Sequence, residues 1–210
     1  MVEKFCNFLL KQIRKQMPEI DDERAEVILY GIELIVGEIP KFFILLAVSI
    51  VLGIWWQTLL AFFLILPYRI VSGGFHLKTH LGCIICTNLM YCGNAYLSNV
   101  FNFPNNISKY ITLIAIFIFG VIMVGLYAPA DTENVPILTK KERKTKKVLS
   151  FVFLTINAMC GLVVPNTIVS NIFIFGTLFQ TLSITRLAYK ITNNKYGYEE
   201  YLKQEQNVTI

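Results

Sequence analysis

Residues 111–127 read ITLIAIFIFGVIMVGLY, with no charged side chain among them. A helix on a soluble core keeps a polar face, and this run has almost none, which is the pattern of a helix in lipid. Residues 42–68 and 148–185 likewise contain no Asp, Glu, Lys or Arg. Over all 210 residues, 55% are hydrophobic and 16% are charged, a balance that soluble domains of this length rarely reach. The fold class expected is an all-α membrane protein.

Working outward from that run gives about six transmembrane helices, over residues 41–54, 58–70, 81–100, 110–127, 148–164 and 168–189. Trp55 and Trp56 mark an interface turn between the first two. The Asn-rich stretch 101–108 follows the third, and the polar loop 128–147 follows the fourth. An N-terminal amphipathic helix precedes the spans. Phe5, Phe8, Leu9 and Ile13 share one face of it, and Lys4, Lys11, Gln12 and Lys15 the other, as in a helix lying on the inner leaflet. Pro18 breaks it, and Asp21 and Asp22 start a second helix that leads to Pro40. Charged and apolar residues alternate over the first thirty positions, so no secretory signal peptide is expected. The chain reads as a single membrane-embedded domain, 1–210. It comprises amphipathic or cytoplasmic helices over 1–38, spans over 41–189, and a cytoplasmic tail over 190–210.

Six spans leave the N-terminal arm, residues 69–80, residues 128–147 and the tail on one side. With Arg186 counted in the tail, that side holds all but Lys109 of the 19 lysines and arginines. The positive-inside rule then makes both termini and the 69–80 segment cytoplasmic. The formal net charge of +5 is thus a feature of the inner leaflet and of partner steering, and nothing else points to nucleic acid. The five cysteines lie mostly in apolar runs and are odd in number, which argues against an extracellular disulfide framework.

The stretch with chemistry is PYRIVSGGFHLKTHLGC, residues 67–83. A thiol attacks a carbonyl as thiolate, a form favoured by an imidazole, a cation or a helix N-terminus. Around Cys83 the sequence supplies His76 and His80, Arg69 and Lys78, and the start of a helix. In a continuous helix His76 and Cys83 would be two turns apart, roughly 10.5 Å between backbones. The chain between them must therefore bend if they are to meet. His80, three residues from Cys83, is the better helical neighbour. Gly73 and Gly74 relax the backbone before His76 and favour the bend. Cys86 and Cys92 lie deeper in the span, where a thiolate is costlier to form. His76, His80 and Cys83 also have zinc-ligand spacing on one face, but no acid in the segment serves as a metalloprotease base. Cys83-Ile-Ile-Cys86 is a CxxC, the pattern of a thiol oxidoreductase, set near a reducing face where such an enzyme gains little. A bland reading stands beside these, with Cys83 a small span residue and the histidines at the interface.

Arg69, Ser72-Gly73-Gly74-Phe75-His76 and Cys83 occur together with Tyr127-Ala128-Pro129-Ala130-Asp131-Thr132, Pro136 and a following basic cluster. In this combination, from about Asp21 to Lys190, the chain resembles the accessory gene regulator protein B (AgrB) family of Gram-positive bacteria. The resemblance implies a cysteine endopeptidase of the bacterial cell membrane. Such an enzyme processes a small AgrD-type propeptide into a cyclic autoinducing peptide for quorum sensing. It implies Cys83 as nucleophile and His76 as general base, with Arg69 and Gly74 as supporting positions. It gives no role to His80, to Cys86 or to the tail from Thr192, and it leans towards a homodimer. No metal and no cofactor are called for. A basic patch that includes Lys140, Lys141, Arg143 and Lys144 is read as attracting an acidic substrate segment, or as setting topology alone. The rival functions are a peptide transporter or exporter, disfavoured by spans almost free of charge, and the CxxC oxidoreductase.

Overall fold

The computed structural model describes residues 2–77, 79–133 and 136–208, with backbone alone for a minority of the helical residues, His80 among them. Among the described residues every regular element is a helix. These are α1 (Val2–Gln16), α2 (Asp22–Val51), α3 (Trp55–Ser72), α4 (His80–Val100), α5 (Asn106–Tyr127), α6 (Lys140–Val163), α7 (Thr167–Ser183), α8 (Arg186–Ile191) and α9 (Gly197–Val208). Helices α3, α5 and α6 are long and apolar enough to cross a membrane, and α7 is apolar but shorter. The chain is an all-α membrane protein.

It falls into two compact units, residues 1–48 and 49–210. In the first, α1 ends just before Pro18 as expected. Arg14 reaches from its last turn to the Asp22 carboxylate (2.7 Å) and to the Ile20 carbonyl (3.4 Å), which fixes the turn into α2. Pro40 does not end α2, contrary to the sequence expectation. The helix runs through it, so the stretch read as a separate first span is the second half of a 30-residue helix. An internal proline removes one amide donor, a loss that helices of membrane proteins tolerate.

The second unit is organised around α7, which packs against α3, α4, α5 and α6. Ser170, Asn171, Ile172, Phe173 and Ile174 are buried in succession, as happens only in a helix enclosed on every side. Several of its buried polar groups are paired with its neighbours. Ser170 Oγ donates to the Gly161 carbonyl (2.6 Å), Asn171 Nδ2 to that of Phe101 (2.8 Å), and the α4 residue Asn94 donates to the Ile172 carbonyl (3.2 Å). Such bonds hold helices together where lipid leaves no hydrophobic drive between them.

Three boundaries differ from the sequence reading. The basic cluster is no loop: α6 begins at Lys140, so Lys140 to Lys147 form its first two turns. The last long helix stops at Ser183, where Thr185 caps the short α8 by accepting from the Ala188 amide (3.2 Å). The tail is also folded, with α9 following a turn at Asn193, the one described residue other than glycine at positive φ (52°).

Candidate active site

Past the end of α3 the chain is non-helical over residues 73–77 and forms a strap. Gly73 and Gly74 open it with φ of 74° and 140°. The strap is tied to the loop after α5. Gly74 N donates to the Ala130 carbonyl (2.9 Å) and Ala130 N to that of Ser72 (2.8 Å). A methyl group on Gly73 would sit 2.2 Å from the Ala130 oxygen, and one on Gly74 would sit 2.7 Å from both Arg69 Nη1 and Ser183 Oγ. Both positions therefore need glycine, for backbone sign and for space. Gly73→Ala is expected to cost more stability than a surface substitution and to lower activity sharply. Thermal denaturation in detergent beside a processing assay checks this, and a wild-type result in both would show the close approach to be dispensable.

Arg69, in the last turn of α3, fastens the strap from the other side. Its guanidinium donates to Phe75 O (3.0 Å), Ser183 Oγ (3.1 Å) and Gln180 Oε1 (3.3 Å). Gln180 adds bonds to Ser72 Oγ (2.9 Å) and Gly73 O (2.8 Å). The planar, multi-donor head of arginine suits this junction, and the point charge of lysine does not.

Cys83 lies in the first turn of α4, where Thr79 caps the helix by accepting from Gly82 N (3.1 Å) and Cys83 N donates to Thr79 O (3.0 Å). The helix is interrupted between His76 and Cys83, since residues 73–77 are non-helical. Cys83, Cys86, Arg69, Phe75 and Leu77 line one small cavity of about 30 Å³. His76 opens onto another, of about 350 Å³, with Thr132, Glu133 and the 193–195 turn. Leu77 lines both cavities. Cys83 and Arg69 are thus brought together, and His76 stands on the strap between two residues that border the cysteine's cavity. Lys78 and the side chain of His80 lie outside the described residues. Among the described residues no cluster of metal-ligating side chains forms.

The loop at 127–132 carries the second part of the motif. The Asp131 side chain is fully buried, and its Oδ2 accepts from Ile137 N (2.9 Å), Arg143 Nη1 (2.9 Å) and Tyr198 N (3.1 Å). The Arg143 guanidinium also lies over the Tyr198 ring at 4.3 Å. Tyr189 donates to the Ala130 carbonyl (2.9 Å), stacks on Tyr196 at 4.1 Å, and Tyr196 donates to Ile184 O (2.8 Å). Burial pushes both phenols well above their usual range, so they remain protonated donors. Loop, tail and strap therefore form one hydrogen-bonded assembly around Ala130. Of the four basic residues singled out in the sequence, Arg143 is committed to this assembly. Lys140, Lys141 and Lys144 are exposed.

The model of the family described as accessory gene regulator B matches residues 3–184. The chain belongs to the accessory gene regulator B family. AgrB-like proteins of Listeria welshimeri and Listeria monocytogenes are 31% and 30% identical to it, each over 90% of this chain and 91% of the relative. One from Clostridium acetobutylicum is 27% identical over 97% of both chains. No solved structure matches. The family match ends one residue after Ser183, so the tail contacts to Ala130 and Asp131 lie beyond it. Sequence reasoning gave that tail no role. The available signal was its tyrosines, among them Tyr196 and Tyr198, which are hard to explain in a solvated tail.

Proposed function

We propose that this member of the accessory gene regulator B family is a membrane cysteine endopeptidase. Family membership supports a general role in autoinducer-peptide processing, and the finer reading concerns how the chain does it. Cys83 Sγ attacks a peptide carbonyl of an AgrD-type propeptide, and His76 takes the thiol proton. The tetrahedral intermediate collapses with loss of the C–N bond, His76 returns the proton to the leaving amine, and a thioester remains on Cys83. A thiol or hydroxyl within the bound substrate then attacks the thioester, closes a ring and restores the Cys83 thiol.

One observation carries this reading: the cavity of Cys83 is walled by the strap that bears His76, and that strap is tied down by Arg69, Gly73 and Gly74. At about 30 Å³ the cavity has room for on the order of one water molecule. Restricting water in this way favours ring closure over hydrolysis. The test is co-expression with the small open reading frame encoded beside this chain, with mass spectrometry of its product. A shortened product carrying a ring supports the reading, and an untouched propeptide sinks it.

The same proposal has six spans, made by the second half of α2 with α3, α4, α5, α6 and α7, and cytoplasmic termini. Its support is that Lys109 alone of the 19 basic residues falls on the opposite side. Reporters inserted after Asn105 and after Asn134 are expected to read opposite sides, and agreement between them would refute six spans.

A further inference from the structure

The peptidase reading uses Cys83 and leaves Cys86 without a task, although both line the same cavity of about 30 Å³. The two cysteines stand three residues apart in α4, and neighbours at that spacing share a helix face. Helical geometry sets their Cα atoms about 5 Å apart, inside the range that a disulfide bridges. It sets their Cβ atoms roughly 5–6 Å apart, so a bridge requires them to close by about 1 Å. The turn they span is placed to supply that closure. It follows directly on the capped start of the helix, where Cys83 N donates to Thr79 O (3.0 Å) and Gly82 N to Thr79 Oγ1 (3.1 Å). Tightening to a 3₁₀ turn, common near helix N-termini, eclipses positions i and i+3 and brings the two side chains together. Neither thiol is bridged, and both are half-buried. Cys86 also lines an open groove of about 230 Å³, so a small solute reaches the pair. Cys92 is buried further along α4, Cys160 is in α6, and Cys6 lies in the first compact unit.

We infer that Cys83 and Cys86 form a reversible redox switch, in which a hydroperoxide turns the proposed nucleophile into one half of a disulfide. The inference rests on the role given above to Cys83, since the thiolate that attacks a carbonyl is also the form that a hydroperoxide oxidises. Cys83 Sγ attacks one oxygen of hydrogen peroxide, so that an S–O bond forms and the O–O bond breaks. The departing hydroxide takes up a proton and leaves as water, and Cys83 carries a sulfenic acid. Cys86 Sγ then attacks the sulfenic sulfur and gives up its thiol proton. An S–S bond forms, the S–O bond breaks, and the second hydroxide leaves with that proton as water. The thiols are oxidised to a disulfide and the peroxide is reduced to water. A reducing dithiol reverses the step by exchange and becomes a disulfide itself. In a reducing compartment such a bridge is transient, the pattern of a sensor and not of a structural crosslink. While it lasts there is no free nucleophile, and processing stops. Cys86 also protects the site, because an unresolved sulfenic acid goes on to a sulfinic acid that thiols do not reduce. Hydrogen peroxide is neutral and little larger than water, which suits a cavity with room for on the order of one water molecule.

The test exposes the full chain in membrane vesicles to hydrogen peroxide, removes the oxidant with catalase and blocks the remaining thiols with N-ethylmaleimide. Peptide mass spectrometry of wild type should show Cys83 joined to Cys86, with the loss of two hydrogens and neither thiol blocked. Processing of the propeptide should fall in step with the bridged fraction and return nearly to its starting level with dithiothreitol. Cys86→Ala and Cys86→Ser, each measured against its own untreated activity, should instead gain oxygen on Cys83 and recover several-fold less. Cys92→Ala should respond as wild type does. If both thiols stay open to maleimide after peroxide, or if the Cys86 variants recover as fully as wild type, the switch is overturned. The catalytic reading then still stands on Cys83→Ala, which tests it separately. A complete bridge between Cys83 and Cys86 with processing undiminished overturns the role of Cys83 as nucleophile, and the switch with it.

Discussion

Cys83→Ala and His76→Ala should each abolish processing of the propeptide while leaving the protein inserted. Loss of a nucleophile, or of the base that serves it, costs on the order of 10⁴ or more in turnover. Cys92 is buried in α4 away from the strap, and Cys6 lies in the first compact unit. Cys86 shares the cavity of Cys83 but lies one turn further along the helix. Cys92→Ala should therefore keep most activity, and Cys86→Ala should fall between. Cys83→Ser offers a weaker nucleophile and is expected to hold uncleaved substrate long enough to be isolated with it. The histidine is the sharper test. Helix spacing favours His80, which follows Thr79 at the start of α4. The strap favours His76, because Phe75 and Leu77 on either side of it already border the cysteine's cavity. Processing by His76→Ala with none by His80→Ala, read by mass spectrometry of the product, would hand the role to His80.

The helical class was legible because absence of charge over whole spans has one physical explanation. The break in the helix before His76 was legible too, since two consecutive glycines mark a backbone that no helix prefers. The central place of α7 was not. Ser170, Asn171 and Gln180 look like blemishes in an apolar span, and only the packed neighbours reveal them as donors and acceptors of the bundle. The basic cluster was read as a loop from its charge density, although lysine and arginine are good helix formers and nothing there breaks a helix. Arg143 could not be told from its neighbours by sequence. What separates it is Asp131, whose carboxylate reaches it across a turn that local patterns do not encode. The motif loop, which in the sequence carried only the family resemblance, holds its aspartate as buried structure.

That buried carboxylate leads to the other large effect. Asp131→Ala strips three donors of one acceptor at once: the Arg143 guanidinium and the amides of Ile137 and Tyr198. Removing one member of a buried pair leaves the other charge uncompensated and costs roughly 3–5 kcal/mol. The loss should spread along bonded neighbours. Tyr198 N belongs to the tail, so α9 should become a site of early proteolysis. Ala130, next in the chain, holds Gly74 and Ser72, so the strap should loosen and Cys83 should react faster with a small maleimide. Asp131→Asn keeps an acceptor but no charge and should be milder. Arg143→Leu in the wild-type background leaves a buried carboxylate with two amide donors, and should be as harmful as Asp131→Ala. Combining Asp131→Asn with Arg143→Leu removes both charges and should recover part of the loss, which a double-mutant cycle on thermal stability in detergent will measure as coupling. Should Asp131→Ala keep its tail protected and its Cys83 as slow to react as wild type, the pair would be incidental, and the strap would have to be held by Arg69 and Gln180 alone.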